Sequence, residues 1–443
     1  MEVKYGVLDF NNNVLGSSGT ILYNIGDYLQ FLTIKFLLDR LGVSKEDICE
    51  ISMPELLEYD GEELILPLNY SIFDEHFMKD GKFALPAKIT PVFLACTLQT
   101  FGLNGEKLLE DKDNVAYLKR FEPIGCRDEY TKDVLTRFGI LSYLTGCLTA
   151  TLPLRTTNKA KKVFFVDAPY LLKKHIPSEL LKDCEFMTQQ YYFSSDYFSS
   201  PKKIFEFVKK QYERYAEEGA LMVTSRLHVA SPCMAMGIPV ILAKDKIDYR
   251  FAWLDKYIPL YSYEEYDKID WNPASIDYEA EKELLILVAL KRLKDVHCTA
   301  GIEEVDRYYQ ERNRGKYENF YRVALENTYL LDEFAKRNWV GKEKVEYAFW
   351  GATSATEKIY RYICEKYPNA KLVKIIDTYQ DVVFHGIRSE KPEVLTAEDS
   401  FDTIVNGVGA SNAAYQLFHE IHKSEDKYCL MGNVFLSEQD RKA

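Results

Sequence analysis

Short apolar runs alternate with amphipathic helical patterns along most of the chain, and this alternation is the strongest constraint on its fold. Within residues 1–155, strands are favoured by YGVLDF, ELILPL, TPVFLACTL, FEPIGCRD and SYLTGCLTATL. The stretch GSSGTILYNIGDY favours a Gly/Ser-rich turn. YLQFLTIKFLLDRLG favours a helix that ends at Gly42, and DEYTKDVLTRFGI favours one that ends at Gly139. Strands that alternate with helices are typical of parallel sheets. We therefore predict an α/β fold with helices on both faces of the sheet.

The alternation resumes near residue 160, where KKVFFVDAP, CEFMTQQYY, ALMVTS and IPVILA favour strands. From about residue 274 to 338 the pattern is helical and charged, which predicts a helical connection whose charges face solvent. A third α/β pattern begins at KVEYAFW. We predict an N-terminal Rossmann-like domain (1–155), a second one (156–275), a helical connection (276–340) and a small C-terminal Rossmann-like domain (341–443).

Charge and composition narrow the range of partners. The chain has 443 residues and a net charge of -12, so it lacks the basic footprint of a nucleic-acid-binding protein, although a few arginines can still hold a small anion. No stretch is long and apolar enough to cross a bilayer, and MEVKYGVLDF lacks a signal-peptide pattern, so we expect a cytoplasmic protein. The nine cysteines have no metal-ligand spacing, and most of them are expected to be buried thiols.

Two residues of cationic type stand in the otherwise uncharged stretch VTSRLHVASPCMAMGIPVIL, namely Arg226 and His228. They fall where a strand passes into a short helix, and this is the edge of an open α/β sheet where ligands bind. An arginine at a helix start can bind a carboxylate or phosphate, and a neighbouring histidine can transfer a proton. The alternative is a structural arginine–carboxylate pair beside a packed histidine, and the residues alone do not decide between the two.

The same stretch resembles the signature of the polysaccharide pyruvyl transferases, in which a strand precedes T-S-R-L-H, a helix of small residues and G-I/V-P-V. Other segments are similar to further elements of that family: YNIGDYLQF to an N-x-G-D element, FEPIGCRDEYTKDVLTRFGI to an R-D/E element, and KDKIDYRFAWLDKY to the segment after the G-x-P strand. The matching positions are Asn24, Gly26, Asp27, Arg127, Asp128 and Arg250. The resemblance covers about residues 1–270.

This resemblance implies two Rossmann-like domains facing a cleft, as in GT-B-like glycosyltransferases, and transfer of pyruvate from phosphoenolpyruvate to two sugar hydroxyls as a ketal. It implies that Arg226 binds the donor with the backbone of Leu227, and that Arg127 forms a second anion clamp. His228 would be the general acid/base. Ser225, Asn24, Gly26 and Arg250 are expected to line the substrate site. No metal or redox cofactor is required.

Several alternatives stay open. Asp27 either orients an acceptor hydroxyl or a catalytic group, or caps a helix. The same cleft would also suit a nucleotide-sugar-dependent glycosyltransferase, or a saccharide-binding protein without activity. The acceptor is expected to be lipid- or nucleotide-linked, with peripheral membrane association and oligomerisation both open. The sequence departs from the family at Cys96–Gln99, where a glycine-rich turn is usual, and after Cys147, where an Asp-Pro pair is usual.

The C-terminal pattern WGATSATEK keeps one glycine, Gly351, of the three that a dinucleotide-binding turn would have. Thr353 and Thr356 replace the others, and Asp377 falls near the ribose-binding position of such folds. A degenerate module for packing or partner contact is favoured over nucleotide binding. His419 and His422 have a spacing that could hold a metal on a helix, but with no third ligand we interpret them as a surface pair.

Overall fold

The architecture is that of a computed structural model. It describes residues 3–9, 20–98, 105–157, 160–194, 201–244, 247–310, 329–378, 380–396, 399–406, 418, 427–429 and 435–436. The chain divides into two compact units, residues 1–318 with 437–443, and residues 319–436. Each unit is described by itself below.

The first unit contains a four-stranded parallel sheet in the order β3-β1-β4-β7. A parallel pair, β8 with β9, joins its edge through a bridge between Cys96 and Cys126. The strands are β1 Lys4–Asp9, β2 Thr20–Asn24, β3 Ile48–Ser52, β4 Leu64–Leu68, β5 Met78–Lys79, β6 Lys82–Phe83, β7 Ile89–Phe93, β8 Ile124–Cys126 and β9 Ser142–Leu144. The helices are α1 Ile25–Leu41, α2 Gly105–Leu109, α3 Lys112–Lys119 and α4 Glu129–Arg137.

A five-stranded parallel sheet in the order β11-β10-β13-β14-β15 follows in the same unit. Its elements and their neighbours are β10 Lys162–Val166, β11 Cys184–Met187, β12 Gln190–Ser194, α5 Pro201–Glu218, β13 Gly219–Thr224, α6 Leu227–Ala235, β14 Val240–Ala243, β15 Leu260–Tyr261, α7 Glu279–Lys294 and α8 Ile302–Gln310. Short 3-10 helices occupy 45–47, 53–58, 75–77, 148–151, 170–175, 249–256 and 263–268. Of the predicted site residues, Ser225 and Arg226 follow β13 of this sheet, Arg127 follows β8, and Asn24, Gly26 and Asp27 lie where β2 passes into α1.

Two local predictions in this unit are wrong. Of the segment predicted as a turn before α1, residues 20–24 form β2 and α1 begins at Ile25 with Asn24 as its N-cap, while residues 16–19 lie outside the described residues. The segment CEFMTQQYY is two strands: β11 joins the parallel sheet, whereas β12 pairs antiparallel with β2. The paired residues Asn24 of β2 and Gln190 of β12 are 166 residues apart in the chain (190 − 24). No local sequence pattern predicts a strand pairing over that distance.

The charged helices after residue 274 are more buried than we expected. Lys282 and Arg292 on α7 are 1% and 0% exposed. The Lys282 ammonium donates to the Ala235 carbonyl at the end of α6 (2.9 Å), and Arg292 donates to the carbonyls of Pro123 and Val296. The expectation that the charges of this segment form a solvent face is therefore wrong for these two residues, because they satisfy buried carbonyl groups.

The second unit has its own sheet, in the order β18-β19-β17-β16-β20-β21, with β18 antiparallel to β19 and the other pairs parallel. Its elements are α9 Tyr329–Asn338, β16 Val345–Trp350, α10 Ser354–Lys366, β17 Ala370–Ile376, β18 Val383–Phe384, β19 Ile387–Glu390, a 3-10 turn at Pro392–Val394, β20 Thr403–Asn406 and β21 Tyr428–Cys429. Its core is built around Trp339, which is fully buried among the rings of Phe334, Tyr347 and Tyr367.

The structure confirms the α/β class with parallel sheets. The arrangement of two domains around a cleft, and the four segment boundaries, stay predictions. All nine cysteines are free thiols, and six of them are buried, as most were predicted to be. No helix in the described ranges has the length and apolar character to cross a membrane.

Candidate functional site

Arg226 and Ser225 follow β13 at the carboxyl end of the second sheet, and Arg226 is the N-cap residue of α6. The Arg226 Nε donates to Asp167 Oδ2 over 2.7 Å, and this carboxylate is almost fully buried at the end of the neighbouring strand β10. The Ser225 hydroxyl donates to the Asp167 carbonyl (2.6 Å). The arginine–carboxylate pair considered from the sequence is therefore present, and it fixes the guanidinium at the start of α6.

His228 lies in the first turn of α6 and faces the start of α1. Its Nδ1 is 3.9 Å from Asp27 Oδ1, which is ion-pair distance but too long for a hydrogen bond. Gly26 makes this approach possible, because a Cβ at that position would lie 2.9 Å from His228 Cβ and 2.7 Å from Gln189 Oε1. Side chains this close would clash, so the glycine of the N-x-G-D element is a spacing requirement.

Asp27 is held in the first turn of α1 by two amide groups. Asn24 Nδ2 donates to Asp27 Oδ2 (2.8 Å) and Gln30 Nε2 donates to Asp27 Oδ1 (3.2 Å). The helix cap is Asn24, whose side chain accepts from the Gly26 amide. The interpretation of Asp27 as a cap is therefore wrong, because that function belongs to the residue three positions earlier.

Arg127 follows β8 and is 4% exposed. Its guanidinium donates to uncharged oxygens: the Gln30 side chain, the Asn69 carbonyl (2.8 Å) and side chain (3.3 Å), and the Ala95 carbonyl (3.3 Å). Among the described residues no carboxylate lies within ion-pair distance of it, and its buried Nε has no hydrogen-bond partner. Its positive charge is therefore available to an anion.

Arg250 lies in the 3-10 helix of residues 249–256, next to the same site. Its Nε and one terminal nitrogen each donate to Asp248 over 2.8 Å, a bidentate arrangement that fixes the guanidinium plane. Leu227, predicted to bind through its backbone, is the first residue of α6. The first amides of a helix have no carbonyl partner within the helix, and here they lie beside two arginines.

The three arginines influence the protonation of both His228 and Asp27. Burial, and then the charges of Arg127, Arg250 and Arg226, hold the pKa of His228 well below its usual range. Burial raises the pKa of Asp27 to about 6, although the same arginines and Asn24 oppose that rise. The buried Nε2 of His228 has no hydrogen-bond partner in the described chain. Three guanidinium groups, two of them paired with Asp167 and Asp248, thus lie around an imidazole whose neutral form is favoured.

Sequence reasoning missed the residues that hold these groups in place: Asp167, Gln189, Gln30, Asn69 and Asp248. Asp167 adopts a left-handed backbone conformation with φ 46° and accepts from Arg226 and from the Gln189 amide (3.0 Å). A signal existed for Asp167 and Asn69, because each directly follows a buried strand at a carboxyl edge. None existed for Gln189 or Gln30, whose importance depends on contacts between distant segments.

In the second unit, the turn after β16 is satisfied by its own side chains. Gly351 has φ 88°, Thr353 and Thr356 form a reciprocal cap at the start of α10, and the Thr356 hydroxyl donates to the Gly351 carbonyl (2.9 Å). The Asp377 carboxylate accepts from the Ala352 amide (3.3 Å) and the Gln380 amide (2.8 Å). These contacts favour a structural function for the turn. His419 and His422 lie outside the described residues.

The first unit thus brings together every predicted site residue: Asn24, Gly26, Asp27, Arg127, Ser225, Arg226, Leu227, His228 and Arg250. Chemically, the three guanidinium groups and the helix start can hold a small ligand with more than one negative charge. The imidazole beside Asp27 can then exchange a proton with that ligand or its partner.

Residues 24–243 match the model of a family described as polysaccharide pyruvyl transferase. The matched range includes all the predicted site residues except Arg250, which lies seven positions beyond it (250 − 243). No curated protein sequence and no solved structure matches the chain.

Proposed function

We propose that this chain, which through residues 24–243 belongs to the polysaccharide pyruvyl transferase family, transfers a pyruvyl group from phosphoenolpyruvate to a saccharide as a ketal. The observation that carries the proposal is the placement of Arg127, Arg226 and Arg250 around His228 and Asp27. Phosphoenolpyruvate has a carboxylate and a phosphate on adjacent atoms, so it needs several cations in one buried place. The two Rossmann-like halves of the first unit would form the cleft that holds it.

The arginines bind the donor and thereby change the state of His228. Burial, and then the positive charges of the three arginines, lower the pKa of His228 and disfavour the imidazolium. A bound phosphate and carboxylate offset these charges, so they favour a protonated ring. His228 can then give a proton to the donor's methylene carbon, which becomes the methyl group of the product while the central carbon becomes electrophilic. Donor binding and proton delivery are coupled in this way.

The acceptor supplies two hydroxyl groups. The first hydroxyl oxygen attacks the central carbon and loses its proton, the carbon–oxygen bond to phosphate breaks, and the second hydroxyl attacks with loss of its own proton. One proton has gone to the methylene carbon, and the other protonates the departing phosphate or leaves to solvent. Asp27, 3.9 Å from the imidazole, would accept a proton and orient His228. No electrons are transferred, so the scheme requires no redox cofactor, and it asks for no metal.

The acceptor that fits this scheme is a saccharide of surface polysaccharide assembly, linked to a lipid or a nucleotide. Since phosphoenolpyruvate is a metabolite of the cytoplasm, we propose that the reaction takes place there. The nearest competing activity is a glycosyltransferase with a nucleotide-sugar donor, whose diphosphate the arginines would also bind.

The test is a melting-temperature screen of the full chain with phosphoenolpyruvate and with nucleotide sugars. At about 100 times its dissociation constant, a ligand stabilises a protein by about 2.7 kcal/mol, so we expect phosphoenolpyruvate to raise the melting temperature by a few degrees. Arg226→Ala should abolish this rise, whereas Arg214→Ala, which removes another carboxylate-paired arginine, should leave it. His228→Ala should keep the rise but abolish release of phosphate in the presence of acceptor saccharides. Stabilisation by a nucleotide sugar and not by phosphoenolpyruvate would overturn the proposal.

A further inference from the structure

The backbone carbonyl of His228 lacks the partner that a helix would normally give it. In α6 that partner would be the amide of the residue four positions later, but this residue is Pro232, which has no N–H. Pro232 lies in the second turn of this helix, which begins at Leu227. The proline therefore leaves the His228 carbonyl open to a group from another element.

The group that takes this place is the hydroxyl of Tyr212, on α5. Tyr212 is 3% exposed, and its hydroxyl donates to the His228 carbonyl. The oxygen of the same hydroxyl accepts from Gln189 Nε2 over 3.1 Å. A buried carbonyl without a partner is costly, so this hydroxyl fixes both the position and the orientation of the turn that carries His228.

Gln189 connects the same arrangement to the other two site residues. It is 1% exposed and is fixed by its backbone at both ends. Its backbone N–H donates to Asp167 Oδ2 (3.0 Å), and this carboxylate also accepts from Arg226. Its carbonyl accepts from the Ile25 amide (2.9 Å) at the start of the helix that carries Asp27. Gln189 thus connects Tyr212 on α5, Asp167 after β10 and the start of α1.

The distances between the start of α1 and the start of α6 are short, so the position of His228 is sensitive to small displacements. A Cβ on Gly26 would lie 3.0 Å from His228 Nδ1, and the imidazole is 3.9 Å from Asp27. A displacement of a few tenths of an ångström at the start of α6 would change either distance noticeably. Misplacement of a reacting group by about 1 Å can cost about 100-fold in rate.

We propose that Tyr212 and Gln189 are positioning residues for His228: the Tyr212 hydroxyl, oriented by Gln189, replaces the helix hydrogen bond that Pro232 cannot make and holds the imidazole against Asp27 and the arginines. The inference rests on the proposed function, because the reaction it serves is the transfer of a pyruvyl group. It assigns a function to two buried residues that the proposed reaction scheme does not use.

Tyr212→Phe removes the hydroxyl without changing the ring, and α5 offers a matched control. Tyr215 is also fully buried, and its hydroxyl has no hydrogen-bond partner among the described residues. We expect Tyr212→Phe to lower kcat by about tenfold or more with little change in KM for phosphoenolpyruvate, whereas Tyr215→Phe keeps both. Equal effects of the two substitutions would assign Tyr212 a merely structural function and overturn the proposal.

The double variant Tyr212→Phe with Pro232→Ala provides a sharper test. The alanine restores an amide that can donate to the His228 carbonyl within the helix. We therefore expect the double variant to recover at least half of the kcat lost in Tyr212→Phe. A double variant that folds but is no more active than Tyr212→Phe would show that the carbonyl bond is not what positions His228.

A readout without any reaction separates this inference from the proposed function. The ring nitrogen signals of His228, identified by their loss in His228→Ala, can be titrated by NMR in the free protein. Because the imidazole should leave its buried place near the arginines, we expect its titration in Tyr212→Phe to move up toward the ordinary pKa of histidine, and not to move in Tyr215→Phe. An unchanged titration in Tyr212→Phe would overturn the inference, whether or not pyruvyl transfer is observed.

Discussion

At the scale of single residues, Asp27 stands out because burial penalises its ionised form. The pKa of its carboxyl is raised from 3.8 to about 6. The folded state therefore binds this proton more tightly than the unfolded state, and stability is lost as the pH rises from about 4 through about 6. A side chain that never ionises would avoid this loss at neutral pH.

We predict that Asp27→Asn stabilises the protein at neutral pH while it lowers activity. The expected gain is about 1–2 kcal/mol at about pH 7.5, less than the full pKa shift implies, because an amide nitrogen replaces one of the oxygens to which Asn24 and Gln30 donate. At about pH 4.5 most of the gain should disappear, since the carboxyl is then protonated. Melting temperatures at both pH values, with turnover at the higher one, check this.

The control for this prediction is Asp39→Asn on the same helix. Asp39 is exposed, so its substitution should change neither the melting temperature nor turnover. A drop in stability for Asp27→Asn at neutral pH would mean that the two amide contacts contribute more than ionisation costs.

The sequence sufficed for some site residues and not for others. Arg127 directly follows β8, and Arg226 and His228 lie within four residues of the end of β13 (228 − 224), so the general rule for sheet edges and the resemblance both pointed to them. Asp167 also follows a strand, yet its partner Arg226 is 59 residues away, and no spacing rule links them. Gln189 was beyond reach, because its function depends on three contacts to elements that meet only in the folded chain.

At the scale of elements, α6 depends on a helix that the sequence pattern led us to place at the surface. The C-terminal carbonyls of a helix need donors, and a cation there is favoured by the helix dipole. The ammonium group of Lys282, which is fully buried on α7, donates to the carbonyl of Ala235, the last residue of α6. It also places a positive charge at this end of the helix. The charge of Lys282 was visible in the sequence, but its burial was not, because charged residues are rarely buried without a partner.

We predict that Lys282→Leu destabilises the protein by about 1–3 kcal/mol, the cost of leaving a buried carbonyl without a donor. Lys294→Leu, near the end of the same helix and exposed, should have little effect. Urea unfolding of both variants measures the difference. If the two variants unfold alike, the contact of Lys282 with the Ala235 carbonyl contributes nothing measurable to stability.

At the scale of the whole molecule, alternation of strand and helix predicted the class of fold correctly in both units. Long buried strands such as β10 and β13 were clear, because a parallel strand covered on both faces is a continuous apolar run. The pairing of β2 with β12 was not predictable, since antiparallel partners so far apart in the chain leave no turn between them to recognise. The sequence therefore predicted the sheets better than the connection that brings α1 to the site.

The second unit has a separate core, and this leads to a prediction for the whole chain. Trp339 is fully buried there, and its Nε1 donates to the Thr403 hydroxyl (3.0 Å). Trp253 is the matched residue of the first unit, 1% exposed and packed against Tyr257 and Tyr309. Truncation of a buried tryptophan costs about 3–5 kcal/mol, and each loss should fall on the unit that contains it.

We therefore expect calorimetry of the full chain to resolve two unfolding transitions. Trp339→Ala should lower one of them and Trp253→Ala the other. Phosphoenolpyruvate should raise only the transition that Trp253→Ala lowers, because the three arginines and His228 all belong to that unit, and a ligand stabilises only the part of a protein to which it binds. A single transition that both substitutions lower equally would show that the two cores unfold together. A rise confined to the transition lowered by Trp339→Ala would place the donor in the second unit and contradict the site proposed for it.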